Sequence, residues 1–287
     1  MSSSSPLPPA GQLLVDEPAP HVARLTISNP DKRGALDHAI LDAFADTMPR
    51  LEARCVIITG QGRTFSAGYD IGALRGGDGG RGTGDGAGGG GGREPSAFAD
   101  GAEKLVAHPF TAAIDAVEAY PYPTIAALNG HAIGGGLELA LSCDLRLAAH
   151  AIKMGMPPAK LGLVYSHTGI RKFIDVIGAA RTRELFFVGG RINASTAHMW
   201  GLVNDVLGVD ELADGAVALA REIATNAPLA QRGNKRVIDA VLDGGATLAP
   251  EVERELLALR HACFSSEDFH EGIRAFAEKR PPEWKGR

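Results

Sequence analysis

A glycine-rich turn followed by a glutamate is the part of this sequence best suited to chemistry. It covers residues 129–138 and contains three consecutive glycines, Gly134, Gly135 and Gly136. Glycine lets a ligand approach the backbone closely because no Cβ stands in the way. The first N–H groups of a helix lack internal partners, so a negative oxygen on the Gly135 N–H would be stabilised. We therefore predict half of an oxyanion hole at Gly135, with Glu138 beside it as an acid or base.

This stretch taken alone leaves an alternative open. Glycines at a strand-to-helix turn often serve close packing of the backbone and nothing else. The spacing G-x-G-x-x-G is absent, which argues against a dinucleotide-binding turn. The flanking sequence favours the geometry of an oxyanion hole, because residues 124–128 are apolar and β-prone and residues 137–142 are apolar and helical. A strand, a glycine turn and a helix are predicted in direct succession.

The composition is that of an ordinary globular protein. The chain has 287 residues, 45% hydrophobic and 22% charged, which allows one large domain or one domain and a smaller one. A net charge of −5 and a pI near 6.0 argue against nucleic acid as a partner. No apolar run reaches the roughly 20 residues that span a membrane. The Ser/Pro-rich start has no basic or apolar segment, so no secretory signal is predicted.

The cysteines indicate the compartment. Cys55, Cys143 and Cys263 each stand alone in apolar surroundings. This spacing fits neither a disulfide framework nor a metal site, and it predicts buried thiols in a reducing compartment. We therefore expect a cytoplasmic protein without a bound metal.

The apolar pattern divides the chain into a tail, a mixed α/β part and a helical part. Residues 1–10 predict a disordered tail. Residues 75–95 are almost all glycine and predict a flexible insertion in a surface loop, since they bury too little to offset their ordering entropy. From residue 210 onward the periodicity is purely helical, and the apolar faces there need partners in the first part or in a neighbouring subunit.

The individual elements follow from periodicity and turn residues. The first two strands are expected to form a hairpin around Glu17 and Pro18, and Asp37 is expected to cap the first helix. Residues 154–162 read as a loop. The predicted strands cover residues 13–15, 22–27, 55–59, 124–128, 144–148 and 202–207. The predicted helices cover residues 37–52, 97–120, 137–142, 166–177, 182–188, 194–200, 212–225, 229–241, 251–264 and 267–278.

Two motifs together resemble those of the crotonase (enoyl-CoA hydratase/isomerase) superfamily. Phe65-Ser66-Ala67-Gly68-Tyr69-Asp70 is similar to the family's F-x-A-G-x-D motif. Residues 129–140 are similar to its N-G-x-A-x-G-G-G-x-E-L-A motif. Either motif alone is weak, but both occur in the family's order, and the resemblance extends over residues 13–280.

The resemblance implies an α/β fold, a crotonase-like spiral of ββα units followed by a C-terminal helical domain. On this chain the spiral would cover residues 11–208, with the insertion at 75–95, and the helical domain residues 209–287. Members pack as homotrimers through the helical domain, and trimers often pair into hexamers. The substrate would be an acyl-CoA thioester, and no cofactor beyond the coenzyme A carried by the substrate is expected.

The resemblance also assigns residues. The thioester oxygen would lie between the backbone N–H groups of Tyr69 and Gly135, which would stabilise an enolate more than the neutral ground state. The remaining residues implied to bind coenzyme A or the acyl group are Ala67, Gly68, Asp70, Ile71, Gly134, Pro157 and Lys279, together with Tyr69 itself. Lys279 would lie near a phosphate of coenzyme A, and the alternative for it is a solvated lysine at a helix end.

One position departs from the family pattern. Hydratases of the family use two glutamates, and Glu138 matches the first. The second belongs at the end of F-G-x-P-E, where this chain has Pro158, which carries no proton. This departure argues against hydration by the two-glutamate route.

The later loop and the C-terminus most resemble the methylmalonyl-CoA decarboxylase branch, in which a tyrosine at the position of Tyr165 faces the substrate carboxylate. Decarboxylation needs enolate stabilisation but no base for a C–H proton. We therefore expect Glu138 and Tyr165 to be catalytic in an acyl-CoA lyase that decarboxylates a malonyl-type substrate. Two alternatives stay open: an enoyl-CoA hydratase that relies on Glu138, and a weakly catalytic acyl-CoA-binding protein. For Tyr165, an ordinary core tyrosine is the alternative.

Overall fold

A computed structural model describes residues 10–69, 109–244 and 247–287. Several predictions fall outside these residues: the tail before residue 10, the glycine-rich insertion at 75–95, and the first part of the helix predicted for 97–120. Two residues expected to bind coenzyme A, Asp70 and Ile71, also lie outside the described residues.

Within the described residues the strands form two sheets. The strands are β1 (Gln12–Ala19), β2 (Val22–Ser28), β3 (Cys55–Gly60), β4 (Thr64–Ser66), β5 (Thr124–Leu128), β6 (His131–Ile133), β7 (Leu145–Ala149), β8 (Lys153–Gly155), β9 (Arg191–Asn193) and β10 (Asp205–Leu207). The larger sheet has the order β1-β2-β3-β5-β7-β10 and the smaller sheet the order β4-β6-β8-β9. The pairs β1–β2 and β8–β9 are antiparallel and the other neighbours are parallel.

Helices follow pairs of strands that alternate between the two sheets. The helices are α1 (His38–Thr47), α2 (Thr111–Glu118), α3 (Gly135–Leu141), α4 (His167–Val188), α5 (Ala194–Met199), α6 (Leu212–Ala224), α7 (Pro228–Gly244), α8 (Pro250–Phe264) and α9 (Glu267–Glu278). Thus β5 in the larger sheet leads to β6 in the smaller sheet and then to α3, and β7 leads in the same way to β8 and α4. This order confirms the predicted α/β spiral of ββα units followed by a helical region.

The larger sheet holds the core because its central strands are covered on both faces. Every residue of β5 is buried, as expected for a parallel strand inside a sheet. Helix α6 lies against β2, β3, β5 and β7. Its buried face consists of Leu212, Ala216, Ala220 and Ala224, and the small alanines allow the helix to approach the strands closely.

Asn129 ties the ends of β3 and β5 together just before the chain turns into the smaller sheet. Its Nδ2 donates hydrogen bonds to the carbonyls of Gly60 and Gly62, both at 2.8 Å. Its Oδ1 accepts from the Gly60 N–H at 3.0 Å and the Thr59 hydroxyl at 3.2 Å. The next residue, Gly130, packs so closely that a Cβ on it would lie 2.2 Å from the Arg63 carbonyl oxygen. This turn therefore fixes the start of β6.

Several element boundaries differ from the sequence predictions. The short strand β6 stands between β5 and α3, so the strand and helix are not in direct succession. The hairpin is confirmed, but its turn lies at Pro20 and His21, after β1 continues through Glu17 and Pro18 with an irregularity in register. The strand predicted for residues 202–207 is only β10, because Leu202 and Val203 are buried in a turn.

Two further predictions need correction within the later loops and helices. The loop predicted for residues 154–162 includes the end of β8 and a 3-10 helix, Pro158–Leu161. The two helices predicted at 166–177 and 182–188 are confirmed as two helical segments of α4, which meet at a kink because Gly178 has non-helical backbone angles, with a φ of 73°. The first helix ends earlier than predicted, at Thr47, and continues as a short 3-10 turn, although Asp37 caps it as expected and accepts from the Ile40 N–H.

Polar contacts join α7 to the spiral and the C-terminus to the end of α6, and the last helices leave apolar surface exposed. Lys235 on α7 forms an ion pair with Asp144 at 2.8 Å. Trp284 donates from its indole N–H to the Thr225 carbonyl at 2.6 Å. Ile273 and Phe276 on α9 are exposed, which is the apolar face for which the sequence predicts a partner. In the described residues, no helix combines the length and apolar character needed to cross a membrane.

We predict that Asn129→Ala lowers the free energy of unfolding by about 2–3 kcal/mol, because it removes side-chain hydrogen bonds from partly buried backbone groups. Urea titration followed by circular dichroism measures the change. Asn226→Ala is the matched control, since Asn226 is exposed and donates to the Ile223 carbonyl through its backbone N–H. Equal stability of the two variants would contradict the structural role assigned to Asn129.

Candidate active site

Two loops at the ends of β4 and β6 come into direct contact around Gly68. The strands pair in parallel, with Ser66 opposite Ala132. Gly68 has a φ of +89°, and a Cβ on it would lie 2.5 Å from the Ile133 carbonyl oxygen and 3.2 Å from the Gly135 nitrogen. Only glycine permits this approach. The backbone at Gly68 and Tyr69 therefore lies beside the nitrogen of Gly135, as a two-donor oxyanion hole requires.

The loop before α1 holds the first of these two segments in place. The Leu36 N–H donates to the Gly68 carbonyl at 2.9 Å, and the Ala67 N–H donates to the Arg33 carbonyl at 3.1 Å. The buried Ser66 hydroxyl donates to the Gly34 carbonyl at 2.7 Å and accepts from the Gly68 N–H at 3.1 Å. The backbone at Gly68 and Tyr69 is thus positioned by contacts on both sides.

The second segment forms the start of α3. Gly134 has a φ of 55° and its N–H donates to the Gly155 carbonyl at 2.9 Å, which joins it to β8. Gly135 is the first residue of α3, where an N–H has no acceptor within the helix. The rings of Phe110 and Tyr69 pack over Gly135, with their centroids 5.1 Å apart. These rings cover the site with apolar surface.

Glu138 lies one turn into α3 and is buried, with 4% of its surface exposed. The hydroxyl of half-buried Tyr165 donates a short hydrogen bond to Glu138 Oε2. Gly169 on α4 makes room for this pair, because a Cβ there would lie 2.6 Å from Tyr165 Cε1 and 2.9 Å from Glu138 Oε1. The structure therefore brings together the two side chains that the sequence analysis proposed as catalytic.

Burial raises the pKa of Glu138 above its usual value, and the negative charge of Glu118 adds to this effect. The hydrogen bond from Tyr165 and the positive charge of Lys172 act in the opposite direction. Burial and the nearby charge of Glu138 hold the pKa of Tyr165 well above its usual value, so that side chain stays a neutral phenol. A carboxyl group with a raised pKa keeps its proton to higher pH than an ordinary carboxyl group and is suited to general acid–base chemistry.

Lys172 and Glu118 form an ion pair beside this site. The pair joins α4 to the end of α2, and the Lys172 side chain is 17% exposed. Lys172 follows Gly169 by three residues and so lies on the same face of α4 as the residue that packs on Glu138. The pair therefore places one positive and one negative charge near Glu138.

The remaining predicted site residues lie in different surroundings. Ala67 is exposed beside the Gly68 turn, and Pro157 leads into the 3-10 helix that begins with buried Pro158. Lys279 is exposed in a left-handed C-cap after α9, where its backbone N–H donates to the carbonyls of Ala275 and Phe276. None of the contacts around Glu138 described above involves Lys279.

The sequence analysis did not identify Phe110, Gly169, Lys172 or Glu118 as parts of this region. For Gly169 the sequence offers one signal, its spacing of three residues from Ser166. This spacing is typical of a helix N-cap, and Ser166 does cap α4 by accepting from the Gly169 N–H. The ion pair of Lys172 and Glu118 joins residues 54 positions apart, and a local sequence pattern cannot predict such a contact. Across the described part of the chain, no group of three or more metal-binding side chains is present.

Comparisons with known proteins agree with this geometry. A family model described as enoyl-CoA hydratase/isomerase matches residues 89–287. The chain is 35% identical over 272 residues to a carnitinyl-CoA dehydratase of Salmonella arizonae, covering 92% of this chain and 95% of the relative.

Solved structures are similar over nearly the whole chain. An enoyl-CoA hydratase from Bacillus anthracis is 29% identical with a TM-score of 0.80, covering 96% of this chain and 99% of that one. An enoyl-CoA hydratase/carnithine racemase from Magnetospirillum magneticum is 29% identical with a TM-score of 0.81, covering 96% of both chains.

We predict that Lys172→Met and Glu118→Gln shift the pKa of Glu138 in opposite directions. Removing the positive charge of Lys172 raises this pKa further, and removing the negative charge of Glu118 lowers it. Carbon-13 NMR of protein labelled at glutamate side chains, titrated against pH and assigned with Glu138→Gln, measures both shifts. Shifts of the same sign would indicate a general disturbance of packing and would contradict the electrostatic account.

Proposed function

The chain belongs to the enoyl-CoA hydratase/isomerase family, and on this premise we propose that it is an acyl-CoA lyase that decarboxylates a malonyl-type, methylmalonyl-like thioester. The observation that carries the proposal is the pairing of one buried carboxyl group, Glu138, with the hydroxyl of Tyr165. Pro158 stands where a hydratase of the family would have its second glutamate. A single proton carrier suits a reaction that adds one proton to carbon and removes none.

The backbone geometry supports the first step of this reaction. The thioester oxygen would accept hydrogen bonds from the N–H groups of Tyr69 and Gly135. When the bond between Cα and the carboxylate carbon breaks, its electron pair passes into the thioester to form an enolate, and CO2 leaves. Two preorganised donors stabilise this negative oxygen more than the neutral carbonyl, and one such donor typically contributes about 3 kcal/mol to the barrier.

The Glu138–Tyr165 pair supports the second step, in which Cα receives a proton. In its neutral form Glu138 can donate to the Tyr165 oxygen, and the Tyr165 proton is then available to the substrate carboxylate. After CO2 has left, Glu138 can supply the proton for Cα, directly or through a water molecule. The apolar cover formed by Phe110 and Tyr69 favours loss of a charged carboxylate over its retention.

Hydro-lyase activity is the second candidate, and the comparisons favour it. The relatives at 34% to 35% identity are named carnitinyl-CoA dehydratase. In such a reaction Glu138 would remove a proton from Cα as a carboxylate, and a proton would have to reach the leaving hydroxyl. Glu138 and Tyr165 are the groups within the described site that could share these two tasks.

We also propose which residues bind the substrate, how the chains assemble and where the protein is located. Ala67, Gly68, Asp70, Ile71, Gly134 and Pro157 are proposed to bind the coenzyme A thioester, with Lys279 near a phosphate. Exposed Ile273 and Phe276 support a homo-oligomer, a trimer or a dimer of trimers. The cysteines are free thiols, which supports a cytoplasmic location. No cofactor beyond the substrate's coenzyme A is proposed.

We predict that the purified protein in deuterated buffer releases CO2 from methylmalonyl-CoA and places deuterium on Cα, because the enolate takes its last proton from solvent-exchanged groups. Glu138→Gln should lower kcat by about 100-fold or more, and Tyr165→Phe by about 10-fold. Mass spectrometry of the propionyl-CoA product measures its rate of formation, which gives kcat, and its deuterium content. Glu222→Gln is the control, since Glu222 is exposed on α6.

Crotonyl-CoA and its 3-hydroxy product are offered in parallel. Interconversion of these two compounds without CO2 release would replace decarboxylation by the hydro-lyase candidate. Binding of all the thioesters without turnover would leave only an acyl-CoA-binding protein and would contradict both.

We predict opposite pH profiles for the two reactions. Decarboxylation uses neutral Glu138, so kcat/KM should fall as the pH rises through the raised pKa of this group, which lies above the usual 4.5. Dehydration uses the Glu138 carboxylate as a base, so kcat/KM should rise over the same range. A profile of kcat/KM against pH for each substrate decides the role. A decarboxylation profile that rises through this range would contradict the proposed proton donation by Glu138.

A further inference from the structure

A cavity adjoins the oxyanion loop, and apart from Pro157 and Gly134 beside it the proposed reaction gives its surroundings no role. It has a volume of about 340 Å³ and is lined by Ile133 at the end of β6, Gly155 at the end of β8, Arg191 at the start of β9, and by Pro157, Lys160 and the pair Gly189 and Gly190. We call it the β8–β9 pocket. The ends of β6 and β8 and the start of β9 lie side by side, because β8 runs parallel to β6 and β9 runs antiparallel to β8.

Glycines allow close packing in the wall of the β8–β9 pocket. A Cβ on Gly155 would lie 2.6 Å from the Gly190 carbonyl oxygen, so the backbones of β8 and the chain before β9 pack in direct contact. Gly189 has a φ of 59°, and a Cβ on it would lie 3.1 Å from Lys160 Cγ. The aliphatic stem of Lys160 therefore packs on Gly189, which gives this side chain a defined course along the wall of the pocket.

Two positively charged side chains, Lys160 and Arg191, line the β8–β9 pocket. Lys160 and Arg191 are both exposed, and in the described residues neither takes part in an ion pair with a carboxylate. Other exposed cations of the chain do form such pairs, for example Arg236 with Glu255 and Arg181 with Glu184. Two cations that line one pocket and have no carboxylate partner in the described part of the chain favour a ligand with anionic oxygens.

The position of the pocket indicates which part of a substrate would reach it. Ile133 directly precedes Gly134, whose N–H donates to the Gly155 carbonyl at 2.9 Å. The chain after β8 leads through Pro157 to Tyr165, which contacts Glu138. The pocket thus lies on the β8 side of the oxyanion loop, where the segment that leads to Tyr165 begins. A group there would belong to the acyl part of a thioester.

We propose that the β8–β9 pocket binds an anionic group at the far end of the acyl chain, so that the protein favours CoA thioesters whose acyl part ends in a carboxylate. Among malonyl-type thioesters this favours substituents that end in a second carboxylate over short alkyl groups. The proposal rests on the proposed function only in taking an acyl-CoA as ligand. A phosphate of coenzyme A offers the same anionic oxygens, so the test separates these two sources.

The test measures binding by calorimetry with compounds that neither decarboxylate nor dehydrate. Glutaryl-CoA carries a terminal carboxylate, pentanoyl-CoA has the same chain length without it, and free coenzyme A has only the phosphates. The variants are Lys160→Gln, Arg191→Gln and the double variant. Lys153→Gln is the matched control, since Lys153 is exposed at the opposite end of β8, and Lys160→Arg retains the charge.

The proposal predicts that wild type binds glutaryl-CoA more tightly than pentanoyl-CoA. The double variant should bind glutaryl-CoA about 10-fold more weakly, with pentanoyl-CoA and coenzyme A unchanged. Lys160→Arg should restore most of the loss in Lys160→Gln. Equal weakening of all three ligands would assign the pocket to a phosphate and overturn the proposal, as would unchanged binding of glutaryl-CoA. Failure of wild type to bind any of the three would instead contradict the proposed function.

Discussion

The close approach of two backbone segments at Gly68 is the constraint on which the site depends. A side chain at Gly68 would collide with the Ile133 carbonyl, so the segments meet only because this residue is glycine. Hydrogen bonds from neighbouring residues hold each of the two segments in place. Asn129 fixes the turn into β6, and the loop before α1 holds the backbone at Gly68 through Leu36. The sheets position backbone N–H groups, and side chains then add acid–base chemistry.

Burial raises the pKa of Glu138, and the hydrogen bond from Tyr165 and the charge of Lys172 partly offset this rise. A carboxylate as deeply buried as Glu138 would be strongly destabilised without partners. Tyr165 donates to it, and the ion pair of Lys172 and Glu118 brings opposite charges to the same region. These groups come from three helices and the loop before α4. The proton affinity of one residue therefore depends on how α2, α3 and α4 pack together.

The sequence predicted the features that depend on local pattern. The helix at Glu267–Glu278, the Asp37 cap and the glycine turn before Glu138 follow from residue types at fixed spacings. The choice of Glu138 and Tyr165 as catalytic residues followed from the family resemblance, whereas the hydrogen bond between them is seen only in the structure. The ion pair of Lys172 and Glu118 and the room left by Gly169 depend on how distant segments pack, which no local pattern encodes. Strand β6 was missed because three residues give too short a pattern.

The vibrational frequency of a bound thioester carbonyl tests most directly whether Tyr69 and Gly135 form an oxyanion hole. Infrared spectra of pentanoyl-CoA labelled with carbon-13 at the thioester carbonyl would be compared in three proteins. We predict a shift to lower frequency in wild type and loss of the shift in Gly68→Ala. Gly62→Ala should keep the shift, because Gly62 also has a positive φ, 69°, but a Cβ there meets nothing within 4 Å. An unshifted carbonyl in wild type, or the same shift in Gly68→Ala, would contradict this prediction.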